Sequence, residues 1–142
     1  MRDMERWLGD GGMPLITRLG AALTAYGEGW VEGTWDPTPE CSNPLGTVQA
    51  GVQTVLLDAA MNFALLTALA RGDRVATLEM KTSNLRAAPG GEALAVRGEV
   101  IRVGRRVGFA QAWLRTAGDG TDVTHATGTW IVNRREPPAA AE

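Results

Sequence analysis

Between residues 50 and 70 apolar side chains recur at three- and four-residue spacing: Val52, Val55, Leu56, Ala59, Phe63, Leu66 and Ala70. That period is helical and predicts one helix of about five turns. Arg71-Gly72-Asp73 ends it, since Gly takes the left-handed turn and Arg suits the negative helix terminus. Beyond it the chain switches to β-rich segments at 75–85, 92–103, 106–116 and 122–132, broken by Pro89-Gly90-Gly91, Gly104-Arg105 and Gly118-Asp119-Gly120. Before it, residues 29–35 read as a strand stopped by Asp36-Pro37-Thr38-Pro39. Breaks this short predict hairpins, so the four later segments are expected to form an antiparallel meander. The helix is apolar around most of its circumference, so the sheet has to wrap it rather than touch one stripe. The expected fold class is α+β, an antiparallel sheet wrapped around a long central helix.

The chain reads as one domain over residues 1–142. Gly9, Gly11 and Gly12 set off a leader, 1–13, in which Met4, Trp7 and Leu8 stand at helical spacing. Pro137 and Pro138 interrupt a tail, 134–142. Both ends are expected to be less ordered than the body. An open sheet around one helix leaves free edges, which predicts a homodimer or homotetramer.

Composition narrows the function. Hydrophobic residues make up 44% and charged residues 21% of the chain, and the net charge is −2. Without a basic field, no nucleic acid partner is expected. The single Cys41 and single His125 exclude a disulfide framework and Cys- or His-rich metal centres, so no metal and no cofactor are expected. No apolar signal-type run opens the chain and no segment reads as a membrane span, which places the protein in the cytoplasm with no membrane partner.

The most informative feature is a scarcity of charge. From Cys41 to Ala70 the only charged residue is Asp58. A lone carboxylate in a buried helix would be desolvated, which raises its proton affinity, and Asp is a mediocre helix former. On the helical wheel Asp58 shares its stripe with Gly51, Thr54, Met61, Asn62 and Leu65, and Thr54 and Asn62 are candidates to hydrogen-bond it. Either the carboxylate does chemistry, or it is tied to a backbone group or an Arg across an interface. Upstream, the segment from Asn43-Pro44 through Gly46 to Gln49-Ala50-Gly51 places a turn and two glycines at the mouth of the helix. The free N–H groups there, near Ala50 and Gly51, are donors suited to an oxyanion.

The spacing Asn43-Pro44-x-Gly46-x-x-Gln49-Ala50-Gly51, with Asp58 nine residues after Gln49 on an apolar helix, resembles the hot-dog-fold acyl-CoA thioesterases of the phenylacetate-pathway (PaaI-like) type. Residues 75–81 and 84–88 look like that family's first strand after the helix, and the resemblance extends over 29–132. It implies a hot-dog fold and an acyl-CoA or acyl-carrier-protein thioester as substrate. By resemblance Asp58 is the catalytic carboxylate, general base or nucleophile, and Asn43 positions water or the acyl group. Gln49 stands where the family usually has His near the carbonyl. Ala50, at the first Gly of the usual His-Gly-Gly, supplies an oxyanion N–H with Gly51 beside it, and Thr77 lies near the carboxylate. The resemblance also implies that the carboxylate and the Asn/oxyanion groups come from opposite subunits of a dimer. A Gln amide donates a hydrogen bond but carries no proton, and Ala adds a Cβ where Gly leaves room.

Arg105 and Arg106, at the Gly104 turn, are candidates to bind CoA phosphates or are an ordinary solvated hairpin tip. His125 reads as structural, and Trp30, Trp35, Trp113 and Trp130 as core or interface. Met61, Phe63 and Leu65 suggest an apolar tunnel for the acyl group. Two other readings stand beside the thioesterase: a non-catalytic acyl-CoA-binding module, which the Gln49-Ala50 departure favours, and an enoyl-thioester hydratase, which requires His125 beside Asp58.

Overall fold

The computed structural model describes residues 1–136. A short 3-10 turn (Glu5–Trp7) leads to helix α1 (Pro14–Arg18) and the hairpin β1 (Ala21–Gly27) and β2 (Trp30–Trp35). A second 3-10 turn (Pro39–Cys41) precedes the long helix α2 (Ala50–Thr67). Strands β3 (Arg74–Asn84), β4 (Leu94–Val103), β5 (Val107–Thr116) and β6 (Asp122–Asn133) follow. All six strands form one antiparallel sheet in the order β1-β2-β4-β5-β6-β3. The expected hot-dog fold, a sheet wrapped around a long central helix, is what the chain adopts.

The order corrects the simple meander. Strands β4, β5 and β6 are successive hairpins, but β3 pairs with β6 and lies at the far edge. Both sides of β4 are occupied, by β2 and β5, so β3 cannot pair with the strand that follows it and takes the free side of β6. The connection from β3 to β4 crosses back past the start of α2. Ala88 in it is buried and accepts a hydrogen bond from Val48 N–H at 2.8 Å, and Gly90 N–H donates to Gly46 O at 2.9 Å. Strand β1 and helix α1 were not foreseen: Leu23, Thr24 and Ala25 alternate too weakly to stand out, and α1 is barely more than one turn.

Helix α2 explains the wrapping. Leu56, Leu57, Ala60, Met61, Ala64 and Leu65 are buried on most of its circumference, and all six strands pack on it, β4 and β5 most extensively. Gly98 lets β4 approach closely: a Cβ there would stand 2.5 Å from Ala60 O. Contrary to the sequence expectation, α2 is long and apolar enough to cross a membrane, with mean hydropathy 1.3 over 18 residues. Its apolarity is accounted for here by the sheet around it. Trp35 and Trp130 are core, whereas Trp30 and Trp113 lie half-buried under the guanidinium groups of Arg97 and Arg115.

The leader is packed rather than loose. Met4 is buried, Arg2 N–H donates to Thr67 O, and Gly9 and Leu23 exchange two backbone hydrogen bonds at 2.8 Å. The start of the tail is also fastened. Arg135 N–H donates to Asp73 at 2.9 Å and the Arg134 guanidinium to the same carboxylate at 3.1 Å. The rest of the expected tail, residues 137–142, lies outside the described residues.

Candidate active site

Asp58 lies in the third turn of α2, on the one face that the sheet leaves uncovered. Gly51, Thr54, Val55, Asn62 and Leu66 share that face and are half-buried or exposed. The burial expected for Asp58 is therefore not supplied by its own chain. Its carboxylate has one side-chain partner among the described residues: Thr77 Oγ1, on β3, donates to Oδ1 at 2.9 Å. Oδ1 is thereby fixed, and Oδ2 makes no hydrogen bond among the described residues. Thr54 and Asn62 do not serve as the expected partners. The Thr54 hydroxyl donates to Ala50 O at 3.1 Å, an ordinary bond back into its own helix, and the Asn62 amide makes no side-chain hydrogen bond among the described residues.

The helix mouth is built by Asn43. Its Oδ1 accepts from Leu45 N–H and Thr47 N–H, and its amide donates to Thr47 Oγ1 at 2.8 Å. This is an Asx turn, and Gly46, at φ 76, closes it in a conformation that favours glycine. The Asn43 side chain is thus committed to its own loop and does not reach the Asp58 of its own chain. Gln49 caps α2 with φ −59 and ψ 134 and no side-chain hydrogen bond. Ala50 and Gly51 are exposed, and their N–H groups have no backbone acceptor among the described residues. A Cβ added at Gly51 would meet nothing within 4 Å. Two free donors therefore face open space at the positive end of an 18-residue helix.

The orientation of these donors depends on Gln53, which sequence reasoning passed over. Gln53 is buried; its amide donates to Val48 O at 3.1 Å and its Oε1 accepts from Thr124 Oγ1. Gln49 N–H donates to Cys41 O at 2.8 Å. The Val48–Gln49 peptide is held at both its oxygen and its hydrogen, which sets the direction of the next N–H groups. An uncharged polar residue among apolar neighbours was the available signal, masked by the attention that Asp58 draws.

Arg105 and Arg106 are exposed on the β4–β5 turn, at the opposite end of the sheet from the mouth of α2. Arg134 packs over this turn, donating to Arg105 O and Gly104 O. Gly108, Trp130 and Thr77 are in register across β5, β6 and β3, so two strand spacings and three residues separate Thr77 from Arg105, roughly 14 Å. His125 points to the outer face of the sheet, beside Gln111 at 3.3 Å and Trp113. It is not near Asp58, and the hydratase reading loses its requirement. Met61 and Leu65 face the sheet and are fully buried, so neither lines a tunnel. Among the described residues no three His, Cys, Asp or Glu side chains converge as a metal site.

Residues 45–123 match the family model of the thioesterase superfamily. Among solved structures the chain is similar to a phenylacetic acid degradation-related protein from Ralstonia eutropha, at 30% identity over 84% of this chain and 89% of that one, with a TM-score of 0.75. A thioesterase from Haemophilus influenzae is 26% identical, over 87% of this chain and 86% of its own, with a TM-score of 0.77. The PaaI protein from the phenylacetic acid degradation operon of E. coli, at 18% identity over 88% and 86%, shares the fold with a TM-score of 0.77.

Proposed function

The chain belongs to the thioesterase superfamily and is a thioester hydrolase, and from that premise we propose that its substrate is an acyl-CoA or acyl-carrier-protein thioester, cleaved by Asp58 across a homodimer. The observation that carries this reading is the pairing of Asp58 with Thr77 on the open face of an otherwise apolar helix. Asp58 Oδ2 takes a proton from water as the water oxygen attacks the thioester carbon. The tetrahedral oxyanion is held by Ala50 N–H and the Gln49 amide, with Gly51 N–H beside them. When the C–S bond breaks, the proton on Asp58 passes to the departing thiolate, giving acid and thiol. Direct attack by the carboxylate, through a mixed anhydride, is the other course open to the same residue.

Distance supports the dimer. Asp58 is eight residues from Ala50 on one helix, a rise of about 12 Å, whereas a reacting carbon must lie about 3 Å from both nucleophile and oxyanion donors. One chain therefore cannot bring its own helix mouth to its own Asp58. Strand β3 is an open edge of 11 residues, with Leu78 53% exposed beside Thr77, and a second copy added antiparallel along it would turn its helix mouth toward this Asp58. In that arrangement Asn43 works by shaping the partner's loop, and Arg105 and Arg106 receive the CoA phosphates at the far end of an extended pantetheine arm.

The test is thiol release from a panel of acyl-CoA esters by the wild type and Asp58→Asn. General-base action contributes ~10²–10⁴-fold, so turnover should fall by that factor while the variant stays folded. An Asp58→Asn protein as fast as the wild type would end the assignment.

A further inference from the structure

A cavity of about 210 Å³ lies between the leader and α2, separate from the sheet-facing core. Met4, Trp7 and Met13 form one wall, and Ala59, Phe63 and Leu66 the other. Its polar side chains are Arg2, whose guanidinium donates to Asp73 O at 3.1 Å, and Asn62, one helical turn beyond Asp58. The leader wall is fixed at three points: Arg2 N–H on Thr67 O, Met4 N–H on the Tyr26 hydroxyl at 3.0 Å, and Gly9 paired with Leu23. Trp7 is fixed as well. Gly12, at φ 78, lets its backbone lie flat on the indole, since a Cβ there would stand 2.6 Å from the ring, and the Arg6 guanidinium covers the ring at 4.7 Å.

We infer that this cavity receives the apolar end of the substrate's acyl group and that Trp7 is the wall that limits its length. The inference rests on the reading of Asp58 given above and adds the substrate class. Asn62 stands about 6 Å along the helix from Asp58 and about 40° round it, so a chain whose carbonyl is at Asp58 meets the cavity on the same open face. Apart from Arg2, whose guanidinium is engaged by Asp73 O, and Asn62, the lining side chains are aliphatic, aromatic and thioether, which selects an uncharged hydrocarbon. A cavity of ~150 Å³ lined by such groups holds benzene. At ~30 Å³ per heavy-atom-sized group, this one takes about seven atoms. With about four carbons covering the 6 Å from Asp58, the acyl group that fits has roughly ten carbons, or an aryl ring on a short linker. Met4 and Met13 give the walls a soft, adaptable surface.

Two substitutions move the wall in opposite directions. Trp7→Ala removes the indole and deepens the cavity; Leu66→Trp fills it from the helix side. Hydrolysis rates for saturated acyl-CoA esters from four to sixteen carbons give the profile for each protein. A methylene gained or lost in an apolar pocket changes kcat/KM by about 10-fold or more. The ratio of the fourteen- to the eight-carbon ester is therefore expected to rise at least ~10-fold in Trp7→Ala and to fall by a similar factor in Leu66→Trp. A general loss of folding would not shift the two ratios in opposite senses. A second measurement is independent of turnover: with ¹³C-methyl methionine, adding the non-hydrolysable decyl thioether of CoA should shift the Met4 and Met13 methyls.

Wild-type hydrolysis with an unchanged profile in both variants and silent Met4 and Met13 methyls would overturn the cavity assignment and leave Asp58 untouched. If no ester is hydrolysed but those methyls shift, and Leu66→Trp abolishes the shift, the cavity stands as an apolar acyl site and the thioesterase mechanism falls. Neither turnover nor shifts would overturn both.

Discussion

The proposed two-copy site makes a prediction that a single-chain site cannot imitate. Ala50 is the first helical residue of α2, and Gln49 before it has φ −59 and ψ 134. Proline is tolerated at that first position because its N–H has no helical acceptor, and the preceding residue already has the extended conformation that proline requires. Ala50→Pro therefore deletes one oxyanion donor while leaving the helix intact. Loss of such a donor costs ~10²–10³ in kcat, or about 3–4 kcal/mol, and Asp58→Asn alone should be equally or more damaging. The two inactive proteins are then co-expressed with different tags, and the doubly tagged species is isolated. In the mixed dimer one site combines the intact Asp58 of one protomer with the intact Ala50 of the other, and the second site lacks both. An unselected 1:1 mixture should recover about a quarter of wild-type activity, since half the dimers are mixed and each has one working site of two. The purified mixed dimer should show about half. Thiol release at saturating acyl-CoA measures it, and size-exclusion with light scattering confirms the species. Recovery no greater than the sum of the parents would refute the argument from helix length, because a site contained in one chain gains nothing from mixing.

Other consequences are local. Thr77→Val removes the hydroxyl that orients Asp58; kcat should fall several-fold to ~10-fold, for the loss of one solvent-exposed hydrogen bond, with KM little changed and Thr77→Ser restoring activity, all read by steady-state kinetics. Gln53→Leu leaves Val48 O without its donor, at about 1–3 kcal/mol, while the Thr124 hydroxyl keeps Asn84 Oδ1 within 3.4 Å, so urea unfolding should show a loss of about 1–3 kcal/mol, with kcat lowered more than KM is raised as the helix mouth loosens. Asp73 is held below the usual carboxylate range by the Arg135 N–H, then by Arg134, against the opposing effect of burial. A depressed folded pKa means that the unfolded chain takes up the proton first, so this stabilisation is complete above about pH 4 and disappears as pH falls through the folded value. Asp73→Asn should lower stability by about 1–3 kcal/mol at neutral pH and by progressively less below pH 4; a constant difference from pH 7 to 2 would contradict it.

How much of this was legible in the sequence follows from how local each signal is. The span of α2, the ends of β3 to β6 and the turns between them depend on periodicity and on Gly and Pro within a few residues, and they were readable. The placement of β3 was not. Hairpin length governs neighbours along the chain, whereas β3 is placed by which sheet edge is free once β4 has been paired on both sides. The leader misled in the same way. Three glycines suggested slack, but Gly9 pairs with Leu23 and Gly12 accommodates Trp7, so they are close-approach positions in a packed strap. That distinction requires the tertiary partner to be visible.

The candidate site divides along the same line. Asp58 stood out because a charge in an apolar helix is conspicuous without any partner, and Asn43 because Asn-Pro before a glycine is a turn in almost any context. The expectation that Asp58 is buried depended on assigning its face of α2 to the core, and the wheel alone could not do that. Met61 and Leu65, on the same nominal stripe, are covered by the sheet, while Asp58 and Asn62 are not. The sheet is too narrow to close around the helix, and the gap falls along residues 51, 54, 55, 58, 62 and 66. The proposed mechanism needs such a gap, since in it the carboxylate meets water and thioester on one side and is oriented from the other. Thr77 supplies the orientation from the same chain. What remains open, above the N-terminal half of α2, has the form of a site waiting for a second helix mouth, while the leader has already roofed the C-terminal half. The division of the helix face into an uncovered catalytic half and a roofed apolar half ties the proposed chemistry to the proposed chain length: the same strap that buries Met4 decides how far an acyl group can run past Asp58.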